Sequence, residues 1–370
     1  MCRINANNFQ RFARFGRVLR GGVCGSGRCA GRPGSPAGGR RLDAPGVLRY
    51  IEAETPRSSA VSGGAFMAAG IVKNYYQTLY SCPIVELTGY VRAAKLSGRL
   101  YAYLDFGGPT GTAKDGLAEG MLALAAESGK LRPGQTVVEA GASTFAAALT
   151  IAARAAGHPV VLVVSESLSA QRQTALKALG ARLEYSGALY GRAGAEKLAR
   201  AAAQRLGGYY VDYFANDDNP EYHRRTTGPA IVEAIRTESA SLVDAVVAGV
   251  GSGGTITGVG EVVKAWTNDV RIVAVEPYEC QAIGGGFLGR HKIPGLGAGF
   301  VPENYNPYVV DTVAAVSSGD AARAAREVLR TDAIPACVSA GAALAAARQL
   351  LENGASKAAL CIFSGRQVYE

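Results

Sequence analysis

The stretch DAVVAGVGSGGTITGVG, Asp244–Gly260, is the one whose reading decides the fold. Its apolar first half reads as a buried strand, which runs into Gly251, Ser252, Gly253, Gly254 and Thr255 and then into a helix. Backbone N–H groups and two hydroxyls at a helix N-terminus make a phosphate cup. Which phosphate it takes stays open at this point. Gly249, Gly251 and Gly254 also fit GxGxxG, and Glu276 ends the next strand where a ribose-binding acid would stand, so an NAD-dependent dehydrogenase is a rival reading.

The strand-to-helix alternation extends outward in both directions from about Leu100. LYAYLDF, TVVEAG, VVLVVS, ARLEYS, GYYVDYF, DAVVAGVG, RIVAVEP, VAAVSS and AALCIFSG read as strands, most of them separated by helix-length segments such as DGLAEGMLALAAESGK and SAQRQTALKALG. This is the doubly wound α/β pattern, with ligands expected at the carboxyl ends of strands. Lobe boundaries are expected near Gly116 and near Asn216, and no internal repeat is visible.

A chain of 370 residues, 48% hydrophobic, suits one large α/β unit or two lobes. The net charge of +9 would suggest a nucleic-acid or membrane partner if it were spread over the fold. It is not: nine arginines precede Asp43, the first acidic residue, which leaves 30 basic against 30 acidic residues in the rest of the chain. The opening residues 1–48 are expected to form a basic Gly/Arg-rich arm, disordered, and to be a transit peptide for a mitochondrion or plastid, an arm that touches acidic surfaces, or a segment upstream of the true start. Seven scattered cysteines without a CxxC pair point to a reduced compartment and to no disulfide framework or structural metal. No apolar run approaches the roughly 20 residues of a membrane span. The expected chain is therefore cytoplasmic or organellar, with a small-molecule substrate and neither nucleic acid nor membrane as partner.

Two further features carry chemistry. In GPTGTAKDGLAEG, Gly108–Gly120, Lys114 stands between a Gly/Thr loop and a helix start, where a lysine could bear a Schiff base to pyridoxal 5′-phosphate. AALCIFSGR ends a strand with Ser364, a helix cap or a partner for a pyridine nitrogen.

Lysine loop, glycine cup and terminal serine together resemble the cysteine synthase (O-acetylserine sulfhydrylase) group, with cystathionine β-synthase nearby, among fold-type II pyridoxal phosphate enzymes. The resemblance covers about Leu79 to Glu370. LYSCPIVEL is similar to the family's IGNTPLVxL, and YAYLDFGGPTGTAKDG to its lysine loop YAKLEFFNPGGSVKDR. NDDNPEYHRRTTGPAI, GVGSGGTITGVG, EPYECQAIGGGFLGRHKIPGLGAGFVPEN and VSAGAALAAA follow almost in order. The resemblance implies a tryptophan synthase β-like fold of two doubly wound three-layer lobes and a homodimer. The large cofactor-binding lobe is then 49–116 plus 217–370, and the smaller mobile lobe 117–216.

Carried over position by position, Lys114 would be the Schiff-base lysine, Gly251, Ser252, Gly253, Gly254 and Thr255 the phosphate cup, and Ser364 the partner of the pyridine nitrogen. Gly295 and Gly297 would lie near the substrate. The implied reaction is β-replacement on an O-activated L-serine through an aminoacrylate, with the freed Lys114 amine as general base. His158, His223 and His291 read as structural. The family's TSGNTG, which grips the substrate carboxylate and meets the cofactor's ring hydroxyl, falls on Gly141, Ala142, Ser143, Thr144, Phe145 and Ala146. Those positions, with Thr144 also toward the cofactor, are the expected substrate loop, and its family pattern is lost. The Asn before the lysine loop is Gly108, the Arg after Lys-Asp is Gly116, and the Gln of QFxN is Tyr213. Two functions follow: an enzyme whose acceptor or nucleophile differs from the standard pair, or a weakly active or inactive cofactor-binding paralogue with a regulatory role.

Overall fold

The computed structural model describes residues 75–80, 82–237 and 243–367. The basic arm expected over residues 1–48 lies outside the described residues. Ten strands are present there: β1 (Ile84–Glu86), β2 (Arg99–Leu104), β3 (Val137–Ala140), β4 (Val160–Ser165), β5 (Ala181–Ser186), β6 (Tyr209–Tyr210), β7 (Ala245–Gly249), β8 (Arg271–Pro277), β9 (Thr312–Val316) and β10 (Ala358–Phe363). They form a six-stranded sheet in the order β1-β2-β10-β7-β8-β9 and a four-stranded sheet in the order β5-β4-β3-β6. Every pairing is parallel except β1 with β2.

The helices are α1 (Thr88–Ala93), α2 (Lys114–Glu127), α3 (Thr144–Ala155), α4 (Ala170–Ala178), α5 (Gly191–Leu206), α6 (Asp218–Arg225), α7 (Thr227–Thr237), α8 (Gly254–Trp266), α9 (Ser318–Asp332) and α10 (Val338–Glu352). The strands bury both faces, which is why they read as continuous apolar runs rather than alternating ones. In the larger sheet Val247, Val273, Cys361 and Phe363 pack with Ala343 and Leu344 of α10. The alternate residues Val246, Ile272, Leu360 and Ile362 pack with Ile231 of α7 and Ile256 and Val259 of α8. The smaller sheet repeats the arrangement: Leu162 and Val164 meet Met121 and Leu149, while Val161 and Val163 meet Ala195 and Ala199. Each sheet is the middle of three layers, and a buried aliphatic side chain of this kind contributes about 1.5–3 kcal/mol. A charge at Val247 would break the larger core.

Two elements depart from the sequence reading. GYYVDYF reads as a seven-residue strand, yet β6 holds only Tyr209 and Tyr210. Asp212 adopts φ 57°, and the N–H groups of Ala215 and Asn216 both turn back to its carbonyl at 2.9 Å, so the strand ends in a turn. The short antiparallel β1 went unread, because three residues beside a proline carry too little period to see. Among the described residues no helix is long and apolar enough to cross a membrane.

The topology collects the chemistry. The lysine loop follows β2, the Gly141–Ala146 loop follows β3, the glycine cup follows β7 and Ser364 follows β10. All four lie at carboxyl ends of parallel strands, where a doubly wound sheet binds its ligands.

Candidate active site

Lys114 is the first residue of α2, and its backbone N–H donates to Thr112 Oγ1 at 3.2 Å. The turn before it is tied from within by Asp115. One carboxylate oxygen, Oδ2, accepts the Thr110 N–H and hydroxyl, each at 2.9 Å, and the Thr112 N–H at 3.4 Å. A Cβ at Gly108 would overlap that same carboxylate, which accounts for the glycine where the family carries asparagine. Gly116 and Gly120 likewise leave room for Tyr222, whose hydroxyl and ring lie where their Cβ atoms would be. The strand end carrying Ser364 closes over the loop: the Ala113 N–H donates to the Ser364 carbonyl and the Arg366 N–H to the Gly111 carbonyl, both at 2.9 Å.

The cup is built by close approach of backbone. A Cβ on Gly251 would overlap the carbonyl oxygen of Gly295, and one on Gly254 would overlap Asn219 Oδ1. Gly253 adopts φ 84°, a left-handed conformation that glycine takes without strain. Helix α8 then begins with no side chain capping it, so its N-terminus presents backbone donors and the positive end of its dipole. The GLGAG loop is held against the cup by the Gly297 N–H, which donates to the Val250 carbonyl at 3.1 Å.

Asn219 and His223, both on α6, brace this cup. Asn219 Nδ2 donates to Ser252 Oγ and to the Tyr213 carbonyl, each at 3.0 Å. His223 Nδ1 lies 2.9 Å from Thr227 Oγ1 and Nε2 lies 3.1 Å from Thr255 Oγ1. Burial, with the nearby Lys114 charge, pushes this imidazole down to about 3, so it is neutral and one ring nitrogen donates while the other accepts. Burial pushes Asp105 up to about 6, opposed first by the charge of Lys114. Lys114 therefore stands within electrostatic reach of both the cup's histidine and the Asp105 carboxylate.

On the other sheet, the Gly141–Ala146 loop keeps its turn while its side chains do little. Ser143 caps α3 by accepting the Ala146 N–H at 3.4 Å, Thr144 is exposed, and Arg172 holds the Ala142 and Ser143 carbonyls at 3.2 Å each. Phe145 departs from the sequence expectation. It is 1% exposed and sits in the core; its ring stacks on Tyr213 with centroids 4.0 Å apart and planes 15° apart. Helix α3 starts one residue earlier, and its inward face claims position 145 for the core. The Tyr213 ring centroid is 5.8 Å from Lys114 Nζ. Its backbone is held on both sides: the N–H donates to Glu139 Oε2 at 3.2 Å, and the carbonyl accepts Asn219 and also Asn304 Nδ2 at 2.9 Å. Burial pushes Glu139 up to about 8 against these hydrogen bonds.

The structure thus brings Lys114, Ser364, the cup, Gly295, Gly297 and Tyr213 to one place, and sets Phe145 behind Tyr213. Glu276 does not serve as a free ribose acid, since its two oxygens accept the Ile283 and Gly284 N–H groups at 3.0 Å each. Asn219 and Glu139 were missed as individual residues, and His223 was read only as structural. The in-order match of NDDNPEYHRRTTGPAI marked the segment that holds Asn219 and His223. The donor set fits pyridoxal 5′-phosphate: an amine on the lysine loop, a glycine cradle that any Cβ would fill, and a hydroxyl beside the amine's loop.

The family model for pyridoxal-phosphate dependent enzymes matches residues 77–365. The cysteine synthase of Staphylococcus aureus (strain Mu50 / ATCC 700699) is 34% identical over 270 residues, which is 73% of this chain and 86% of the relative. Among solved structures, O-ureido-L-serine synthase superposes with a TM-score of 0.73 at 28% identity, over 80% of this chain and 92% of that one. Entamoeba histolytica cysteine synthase does so with a TM-score of 0.73 at 29% identity, over 83% and 91%.

Proposed function

The chain belongs to the pyridoxal-phosphate-dependent enzyme family, and from that membership we propose that it replaces the β-substituent of an O-activated L-serine, in the manner of a cysteine synthase. The observation that carries this reading is the convergence of Lys114 with the cup: Lys114 Nζ lies 5.8 Å from the Tyr213 ring centroid, and Asn219 joins the Tyr213 carbonyl to Ser252 Oγ at 3.0 Å each. Lys114 would hold the cofactor, Gly251, Ser252, Gly253, Gly254 and Thr255 its phosphate, and Ser364 its ring nitrogen. When bound, the cofactor supplies the electron sink that lets the substrate α-carbon give up a proton.

The chain's own groups do the rest. The Lys114 amine takes the α-proton and later returns it, so the same Nζ serves both half-reactions. The Cβ–O bond breaks with the leaving group keeping the electron pair, and a nucleophile forms the new bond at Cβ. Backbone N–H groups at the start of α3 bind the α-carboxylate, helped by Ser143, while Arg172 fixes the loop's carbonyls on the far side. In this reading the smaller lobe, residues 117–216, carries this loop, the large lobe carries the lysine loop and the cup, and the resemblance supports a homodimer.

The substrate loop favours a product other than cysteine, because the side-chain donors of TSGNTG are reduced to the hydroxyls of Ser143 and Thr144. O-Ureido-L-serine synthase, at 28% identity, supports a β-substituted alanine of that kind. Incubation of the purified protein with O-acetyl-L-serine, O-phospho-L-serine and L-serine, each with a thiol, tests the reaction. A β-substituted alanine from any of the three is the expected result, and none from all three would leave a binding role.

A further inference from the structure

A cavity of about 300 Å³, its open mouth included, lies against the lysine loop and shares no residue with the glycine cup. Leu79, Pro83 and Leu104 give it an apolar wall, and Asp105, Gly107 and Thr112 line it from the stretch between β2 and Lys114. The Asp105 carboxylate is poorly partnered. Among the described residues its one side-chain hydrogen-bond partner is the Cys82 thiol, 3.8 Å from Oδ1, and that thiol has a nearer acceptor in the Leu79 carbonyl at 3.4 Å. A thiol carries a single proton, so the carboxylate is left with a weak, shared donor where it could accept about four. Burial pushes this group up to about 6, opposed first by the charge of Lys114, so it is still ionised at neutral pH. A charge held in this way is destabilising unless a cation pairs with it.

The same cavity has room at Gly107. The family's lysine loop carries a phenylalanine there, and a Cβ added at Gly107 would meet only Leu79 Cδ2, at an ordinary contact distance of 3.6 Å. Gly108 differs, because the place of its Cβ is already taken by Asp115. A side chain could start at position 107, and glycine leaves that room to another molecule.

We propose that this cavity binds a small organic cation with a flat apolar body, its charged end on Asp105 and its body against Leu79 and Leu104 in the room left at Gly107. An amidinium suits the carboxylate, because its two parallel N–H groups meet both oxygens at once. Occupancy brings a positive charge beside the turn that carries Lys114, since Thr112 both lines the cavity and accepts the Lys114 N–H at 3.2 Å. The site goes beyond the β-replacement reading and does not depend on it.

The test is calorimetric titration of the purified full-length protein with benzamidine and with benzamide, its neutral counterpart of the same shape. The unaltered protein should bind benzamidine roughly 10-fold or more tightly than benzamide. Asp105→Asn should bring that ratio near one, and Gly107→Phe should weaken binding of both compounds by closing the room. Each variant's melting temperature checks that it is folded, and if Asp105→Asn does not fold, Gly107→Phe decides alone. A preference that survives Asp105→Asn would place benzamidine on another carboxylate and overturn the site. So would equal binding of the two compounds, no binding of benzamidine, or benzamidine binding that Gly107→Phe leaves unchanged.

Discussion

The glycine cup and the Gly141–Ala146 loop are built alike, each a turn between a parallel strand and a helix, yet one keeps the family pattern and the other has lost it. Packing accounts for the difference. A Cβ at Gly251 or Gly254 would overlap a neighbour, whereas a Cβ at Gly141 would meet nothing within 4 Å, and only its φ of 99° restricts it. The cup is fixed by backbone pressed against backbone and tolerates no change. The Gly141–Ala146 loop borders open space at Gly141 and is exposed at Ser143 and Thr144, while Phe145 and Ala146 are buried in the core.

Gly251→Ala should break the cup most severely. The Gly295 carbonyl cannot retreat without moving the GLGAG loop, at a cost of about 1–3 kcal/mol, and the protein should lose bound cofactor as read by visible absorbance. Full cofactor retention would show that the cup is less tightly built than the overlap implies. His223→Leu should come next. It leaves Thr227 and Thr255 without their buried partner and should raise the cofactor dissociation constant roughly 10-fold or more, with His223→Gln recovering part of the loss.

On the other side of the comparison, grafting TSGNTG over Gly141–Ala146 should fold with a lower melting temperature, because it also replaces the buried Phe145 and Ala146. It should tighten O-acetyl-L-serine binding by roughly 10-fold or less. Failure to fold would show the loop to be as constrained as the cup.

The smallest effect concerns Glu139. Its folded-state value of about 8 is raised above the ordinary carboxylate value, so the native state holds the proton longer than the unfolded chain. Stability from this group is present at low pH and is lost as pH rises toward about 8. Glu139→Gln should flatten that part of the melting-temperature profile; an unchanged slope would place its cause elsewhere.

What could be read from sequence was what is local. The strand runs of β4, β5 and β8 and the lysine and glycine turns depend on neighbours within a few residues, and they stand where the pattern put them. The Phe145–Tyr213 stack, the fit of Tyr222 over Gly116 and Gly120, and the His223 bridge each join residues distant in the chain, and no period records such contacts. GYYVDYF misled because its strand propensity is real, but Asp212 turns the chain after two paired residues. Phe145 misled in the same way: position 145 matched a substrate motif in register, while the helix starting at Thr144 turned it into the core.

The central claim, that Lys114 and the cup form a pyridoxal phosphate site, is tested most directly by borohydride reduction of the purified protein followed by peptide mass spectrometry. The expected result is a phosphopyridoxyl group on the peptide that contains Lys114, and none anywhere in Lys114→Ala. Attachment to another lysine, or the same labelling in Lys114→Ala, would contradict it.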